Sequence, residues 1–420
     1  MLPLIMSGLL ALSQAAPAPG AHHGKKPPNN LERDLATARA FAKTVTGPPE
    51  VLANWTASSH VCEMAGFYCE TNPDNVFALA SIGFQGFHLT GNIRLDGLMN
   101  KMPDLAVFRA NSNGFSGSVP SINNEKYLDE VDLSNNQFAG PFPRNLLNTK
   151  LVFLDLRYNT FSGFLPPEVF TTLREIEFLG LNNNEFSGTI PDTIGQSVAK
   201  YIMLGNNNFV GSIPASLTKA HKLKEIQLLG NRLTGNIPAD LSALRHLMLF
   251  DASVNQLSGS IPAGLNSLHK LSVFNVSNNF LTGSIPNDFG TIHGLQYLDV
   301  SVNQLTGSIP SNLGNVHDLL YLDVSSNQLQ GKIPSSLGKV HGLQYLNVSN
   351  NQLQGTIPPQ FTAIQSLTSI DISNNHITGT IPDDLCALKN ITKIIVSGNQ
   401  LSRDLGPKCT LAKSQGILVC

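Results

Sequence analysis

Carboxylates and aromatic rings crowd one stretch of the chain. Asp129, Glu130, Asp132, Asp155 and Glu177 stand among Phe153, Tyr158, Phe178 and Tyr201. Further on, Tyr297, Tyr321 and Tyr345 recur at intervals of 24 residues, with Asp299 and Asp323 two places after the first two. Carboxylates hold lysine and arginine, and tyrosine offers large contact area at low entropic cost, so both groups suit recognition of a basic peptide or protein, with the 129–177 cluster, which departs from the repeat phrase, the favoured site. For the aspartates between 251 and 371 a plainer reading stays open, in which each only hydrogen-bonds neighbouring strand residues. A row of imidazoles, His221, His269, His293, His317 and His341, lies ten residues before a recurrent Asn. Rings stacked about 5 Å apart repel when charged, which favours the neutral form and makes such a ridge respond to pH. Transition-metal binding and solvated turns multiplied by duplication are the alternatives.

Four N-x-S/T sequons, at Asn54, Asn275, Asn347 and Asn390, predict glycans. Sugars on Asn275 and Asn347 would obstruct the surface around them and move the open face toward residues 107–251. Catalytic signatures such as GxSxG, HExxH and phosphate-binding glycine loops do not occur. The acids recur as a periodic surface, and an open sheet that does not exclude water is a poor site for a carboxylate pair. The sequence therefore reads as a non-enzyme without cofactor or metal.

The elements that must position these residues follow from composition and period. The charged fraction is 13%, about half the usual quarter, while the apolar fraction is an ordinary 41%. Net charge is 27 − 29 = −2, which removes the basic excess that drives nucleic-acid binding. Uncharged polar residues supply the rest, as in a repeat protein. Asn113, Asn136, Asn159, Asn184 and Asn207 lead a series that continues every 24 residues from Asn231 to Asn399. Around each runs a phrase such as Leu295-Gln-Tyr-Leu298-Asp-Val300-Ser-Val-Asn303-Gln-Leu305-Thr-Gly-Ser-Ile-Pro310. Leu295, Leu298, Val300 and Leu305 face one interior, and the alternation at 298–301 marks a short strand with Asp299 and Ser301 outward. The Asn amide can satisfy turn backbone groups at each level, building an interior ladder. The Gly permits the following turn and the Pro ends it.

The ends differ from the middle. Residues 2–12 are apolar and precede Ser13-Gln14-Ala15, so 1–15 is predicted to be a secretory signal and the Pro/Gly-rich 16–30 a flexible tether. No other apolar run approaches the ~18 residues of a membrane span. Leu31–Thr46 has helical spacing and opens an N-terminal cap over 31–83; repeats fill 84–405, and a C-terminal cap overlaps them over 386–420. Cysteines sit only at the ends, with 316 residues between Cys69 and Cys386. Stack ends expose apolar cross-sections, so we pair Cys62 with Cys69 and Cys386 with Cys409, leaving Cys420 odd. Metal binding by these thiols is the other reading.

The phrase resembles the plant-type leucine-rich repeat, LxxLxLxxNxLxGxIP, over residues from about 84 to 405. That resemblance implies an α/β leucine-rich repeat solenoid with one parallel concave sheet, a mostly irregular or 3-10 convex side and disulfide-capped ends. The helix, Trp55 and the C-x6-C loop are similar to the N-terminal cap of plant extracellular repeat proteins. More narrowly, the runs FALASIGFQGFHLTG and AVFRANSNGFSG and the Cys386–Cys409 spacing look like the repeat domain of leucine-rich repeat extensins, here without a Pro-rich tail, membrane span or kinase. The resemblance implies a secreted, extracellular or cell-wall-associated recognition protein that binds a secreted basic peptide or extracellular protein on its concave face. Wall polysaccharide is a further partner and nucleic acid is not expected. A more distant likeness to polygalacturonase inhibitors gives the alternative, inhibition of wall-degrading enzymes. A third reading is adsorption to polysaccharide or ice through Ser258, Thr282 and Thr306, a column interrupted at Gln330 and Gln354.

Overall fold

The structure, a computed structural model, describes residues 29–92, 98–119 and 126–420. The expected signal and nearly all of the tether lie outside the described residues. Two compact units divide the chain, one ending at Asn159 and the other running from Thr160 to Cys420.

The first unit opens with helices α1 (Asn29–Ala42) and α2 (Pro49–Ala57). The sequence predicts only the first of these. The second begins at Pro49, whose fixed φ suits a first helical turn and whose missing donor costs nothing there. Trp55 on α2 is fully buried against Phe41, Phe67 and Phe84, with ring centroids 5.9, 5.7 and 5.0 Å away. Its indole N–H donates to the Ala65 carbonyl at 2.8 Å, so the ring buries its area without orphaning its polar atom. Strands β1 (Phe67–Thr71) and β2 (Phe77–Gly83) form an antiparallel hairpin, and the Cys62–Cys69 disulfide ties β1 to the 3-10 turn before it. β2 then pairs in parallel with Val107–Arg109, followed by Glu130–Asp132 and Phe153–Asp155. The stack thus starts at β2, inside the segment read as cap, because that strand already bonds the next coil.

In the second unit parallel strands recur from Phe178–Gly180 to Lys393–Ile395, and Leu418–Val419 closes the edge. Each coil leaves its strand at the Asn turn and returns through a 3-10 segment such as Ser311–Asn315. Adjacent 3-10 segments pack so closely that a side chain on Gly314 would collide with the Ser336 carbonyl. Helix α3 (Pro407–Ser414) covers the last coil through the Cys386–Cys409 disulfide, and Cys420 is exposed and unpaired.

The Asn ladder is explicit. Asn303 donates to the carbonyls of Val276, Val300 and Ser301 at 3.0, 3.2 and 3.0 Å, and its Oδ1 accepts from Leu281 N–H at 2.9 Å. One amide therefore ties its own turn to the coil before it. The residue preceding each Asn adopts left-handed backbone, and Val254 and Val302 do so at φ 53° and 52° where most coils use Asn, Ser or Gly. A β-branched residue there is strained. Beyond the Asn, the chain stays extended and forms a second parallel ladder, for example Glu185–Thr189, Asn208–Ser212 and Arg232–Gly235. This flank ladder adds to the 3-10 turns expected from the repeat.

Candidate functional site on the principal sheet

Outward residues of the principal strands form the candidate site. In the first unit the register sets Arg109, Asp132 and Asp155 side by side, with Val107, Glu130 and Phe153 in the neighbouring row. Arg109 grips Glu130 through two bonds, Nε to Oε1 at 2.5 Å and Nη2 to Oε2 at 2.9 Å. Asp155 is 1% exposed and accepts from Arg157 Nε at 2.9 Å, Arg157 Nη2 at 2.6 Å and the Arg157 backbone N–H at 3.0 Å. Asp132 accepts from the Ser134 N–H at 2.9 Å. Burial, with the Asp155 carboxylate beside it, pushes the Asp132 carboxyl up to about 6. Of the residues read as an open acidic cluster, then, Asp155 is a buried ion-pair member and Asp132 is a strand-bonding group. Two guanidiniums stand among the four carboxylates of Asp129, Glu130, Asp132 and Asp155. Asp129 is exposed, Phe153 is half-buried, and Tyr158 is 51% exposed on a left-handed turn.

Arg109 and Arg157, which neutralise this cluster, are not among the residues that the sequence singled out. Both were legible as same-face positions, since Arg109 lies one strand from Glu130 and Arg157 two residues after Asp155.

In the second unit Glu177 pairs with Lys200 at 2.5 Å. Phe178 is 2% exposed beside the Tyr201 ring, so this proposed surface residue is core, covered by the next coil. Tyr201 in turn lies 5.9 Å from the Lys224 ammonium. The three tyrosines form a regular stack, Tyr297 to Tyr321 at 4.2 Å and Tyr321 to Tyr345 at 4.4 Å, with planes within 9° and 3° of parallel. Because the faces cover one another, the ladder presents ring edges and hydroxyls.

Each hydroxyl meets a carboxylate or amide of its own strand. Tyr297 donates to Asp299 Oδ2 at 3.3 Å, while Asp299 Oδ1 accepts from Ser301 N–H at 3.0 Å and Ser301 Oγ–H at 2.6 Å. Asp251, Asp323 and Asp371 repeat the Asp–Ser bonds, and Asn275 and Asn347 accept the corresponding Ser N–H. So the plainer reading of the aspartate column describes one oxygen of each; the other oxygen meets a tyrosine hydroxyl in Asp299 and Asp323, and the Asn275 amide in Asp251. Burial raises Asp299 to about 6, and burial together with Tyr297 and nearby carboxylates pushes the Tyr321 hydroxyl well up. Among the described residues no ion pair joins Asp251, Asp299, Asp323 or Asp371 to a cation.

The sequons divide. Asn54 and Asn390 are exposed, whereas Asn275 is 7% exposed with its amide donating to Asp251 Oδ2 at 3.4 Å. Asn347 donates to Asp323 Oδ2 at 3.1 Å. A glycan on Asn275 would have to displace its neighbours in the row, which argues against the obstruction expected there. The five ladder histidines are exposed on turns, and no cluster of three His, Cys, Asp or Glu converges among the described residues. No helix among those residues is long and apolar enough to cross a membrane.

Coil, ladder and caps define a leucine-rich repeat solenoid, and its repeats are similar to those of plant extracellular proteins. Family profiles described as leucine rich repeat match residues 342–401 and, in five separate copies, 150–171, 175–197, 270–292, 294–316 and 318–340. The chain is similar to Receptor-like protein 35 of Arabidopsis thaliana, 36% identical over 18% of this chain and 8% of that one. It is also similar to Leucine-rich repeat extensin-like protein 1 of Arabidopsis thaliana, 36% identical over 25% of this chain and 14% of the relative. The matches thus span a small part of those longer proteins. Among solved structures, a TDR receptor superposes with TM-score 0.76 at 32% identity, covering 80% of this chain and 58% of that one. The Arabidopsis receptor kinase HAESA ectodomain, in complex with an IDA peptide hormone ligand, gives 0.64 at 28%, over 89% and 70%. A plant ice-binding protein gives 0.55 at 28%, over 74% and 90%.

Proposed function

We propose that the chain is a secreted recognition protein that holds a basic peptide or protein segment against its principal sheet. Its anchor is the row of Tyr297, Tyr321 and Tyr345 with Asp299 and Asp323. The observation that carries this reading is the stacked tyrosine ladder backed by carboxylates that no cation neutralises among the described residues. A lysine or arginine arriving there gains an ion pair without first breaking one. The HAESA ectodomain, a fold neighbour, is in complex with a peptide hormone ligand, which supports a peptide as the partner. Attachment to the cell wall rests on the likeness to extensin-type repeats, and the reading assigns no catalysis. Affinity capture from extracellular fluid tests it, comparing the wild type with Asp299→Asn/Asp323→Asn. Loss of basic peptides from the variant's catch is expected; an identical catch would sink the proposal. A pectinase assay checks the inhibitor alternative.

A second reading has its own observation. Thr282 and Thr306 point from the flank ladder with hydroxyls donating to the Gly259 and Gly283 carbonyls at 3.3 Å, and Ser260 and Ser284 pair with them across neighbouring coils. Such a fixed hydroxyl array suits adsorption to ice, in line with the ice-binding neighbour. Thermal hysteresis that survives Thr282→Lys/Thr306→Lys would dismiss it.

A further inference from the structure

Six consecutive coils of the second unit carry a cation or an imidazole at one register position: His221, Arg245, His269, His293, His317 and His341. Each is the first residue of the two-residue turn between a 3-10 segment and the principal strand, and each is exposed. The next position adds Lys222, His246 and Lys270 in the first three of these coils. The proposed peptide site leaves this ridge unused, and it would repel a basic ligand.

The ridge is held in register by backbone. Three residues downstream, Met248 N–H donates to Lys224 O at 2.7 Å, Ser272 to Met248 at 2.8 Å, Gln296 to Ser272 at 2.8 Å, Leu320 to Gln296 at 2.9 Å and Gln344 to Leu320 at 2.8 Å. Successive turns touch. A Cβ on Gly342 would stand 3.5 Å from the His317 carbonyl, and Lys270 Nζ lies 3.4 Å from His246 Nδ1. At the pitch of stacked strands, about 4.8 Å, the six positions draw a line about 24 Å long. Lys219, Lys224 and Lys339 border it. Asp318 stands beside His317, and Asp240 and Asp288 lie five residues before Arg245 and His293, Asp288 being committed to the Gly264 N–H at 2.6 Å.

We propose that this ridge docks a linear polyanion carrying one charge per sugar, an acidic polysaccharide of the uronate class, and binds it more tightly as pH falls. Charge density selects the partner. Duplex nucleic acid presents a negative charge about every 1.7 Å, nearly three times denser than the ridge's pitch of about 4.8 Å, and an anionic membrane presents a plane to what is a single line. An extended uronate chain places one carboxylate per ring, close to one per coil. Imidazoles as a class gain charge below about pH 6.5, while carboxylates keep theirs down to about pH 4, so attraction peaks between these limits.

Titration of the full-length chain with polygalacturonate, at about pH 5 and about pH 8, tests this. The expected result is affinity about tenfold higher at the lower pH, weakened by added salt. Arg245→Gln/His269→Gln/His293→Gln/His317→Gln should lose that gain at unchanged melting midpoint; if it fails to fold, Lys222→Gln/Lys270→Gln serves, with a drop at both pH values. Equal affinity at the two pH values, an unaffected folded variant, or equally tight binding of duplex DNA or anionic vesicles would overturn the proposal.

Discussion

Two rows of carboxylates, one at 130–155 in the first unit and one at 251–371 in the second, are alike in composition and opposite in state. In the first, Glu130 and Asp155 are held by Arg109 and Arg157. In the second, Asp299 and Asp323 bond only serine, tyrosine and asparagine among the described residues. The irregular coils that brought extra acids also brought the bases that neutralise them, whereas strict repetition of Asp-Val-Ser copied a carboxylate without a partner. Asn275 and Asn347 occupy the same position and accept the same serine N–H bonds. The strand therefore needs the oxygen and not the charge.

The sharpest way to break this contrast is Arg157→Met. It strands the buried Asp155 carboxylate and should cost about 3 kcal/mol in urea unfolding. A cost below ~1 kcal/mol would mean that the pair is not structural. Asp299→Asn should act in the opposite direction. Its folded-state value of about 6 lies above the ordinary carboxylate value, so the folded chain binds that proton more tightly. The stability this supplies is complete below about pH 4 and lost as pH rises through about 6. The Asn variant should therefore gain about 2 kcal/mol at pH 7 and almost nothing at pH 4, read from melting curves at the two pH values. A third change tests the strain carried by the regular coils: Val302→Asn removes a β-branched residue from left-handed backbone and should stabilise by about 1 kcal/mol in the same urea assay. Smallest is Glu130→Gln, which loosens a partly exposed pair and should cost roughly 0.5 kcal/mol by double-mutant cycle with Arg109→Met.

Much of this was legible from spacing. The Asn period located the turns, and Asn303 makes the bonds its type and position required; cysteine clustering at the ends gave both disulfides. What escaped depended on side-chain direction across neighbouring coils. Phe178 shares a column with half-buried tyrosines yet is buried by Tyr201, and Arg157 turns onto Asp155 two residues away. The flank ladder also escaped, because the residues after each Asn carry no strand-like alternation and are extended by bonds to the coil before them. Helix α2 is too short for its period to declare itself.

The central claim is that uncompensated carboxylates of the tyrosine ladder, and not the arginine-paired acids of the first unit, bind the ligand. Isothermal titration of a captured basic peptide against two variants, Asp299→Asn/Asp323→Asn and Asp129→Asn/Glu130→Gln, tests it most directly. The ladder variant should lose affinity by about tenfold, about 1.4 kcal/mol, while the first-unit variant changes by less than about twofold. The reverse ranking would contradict the assignment.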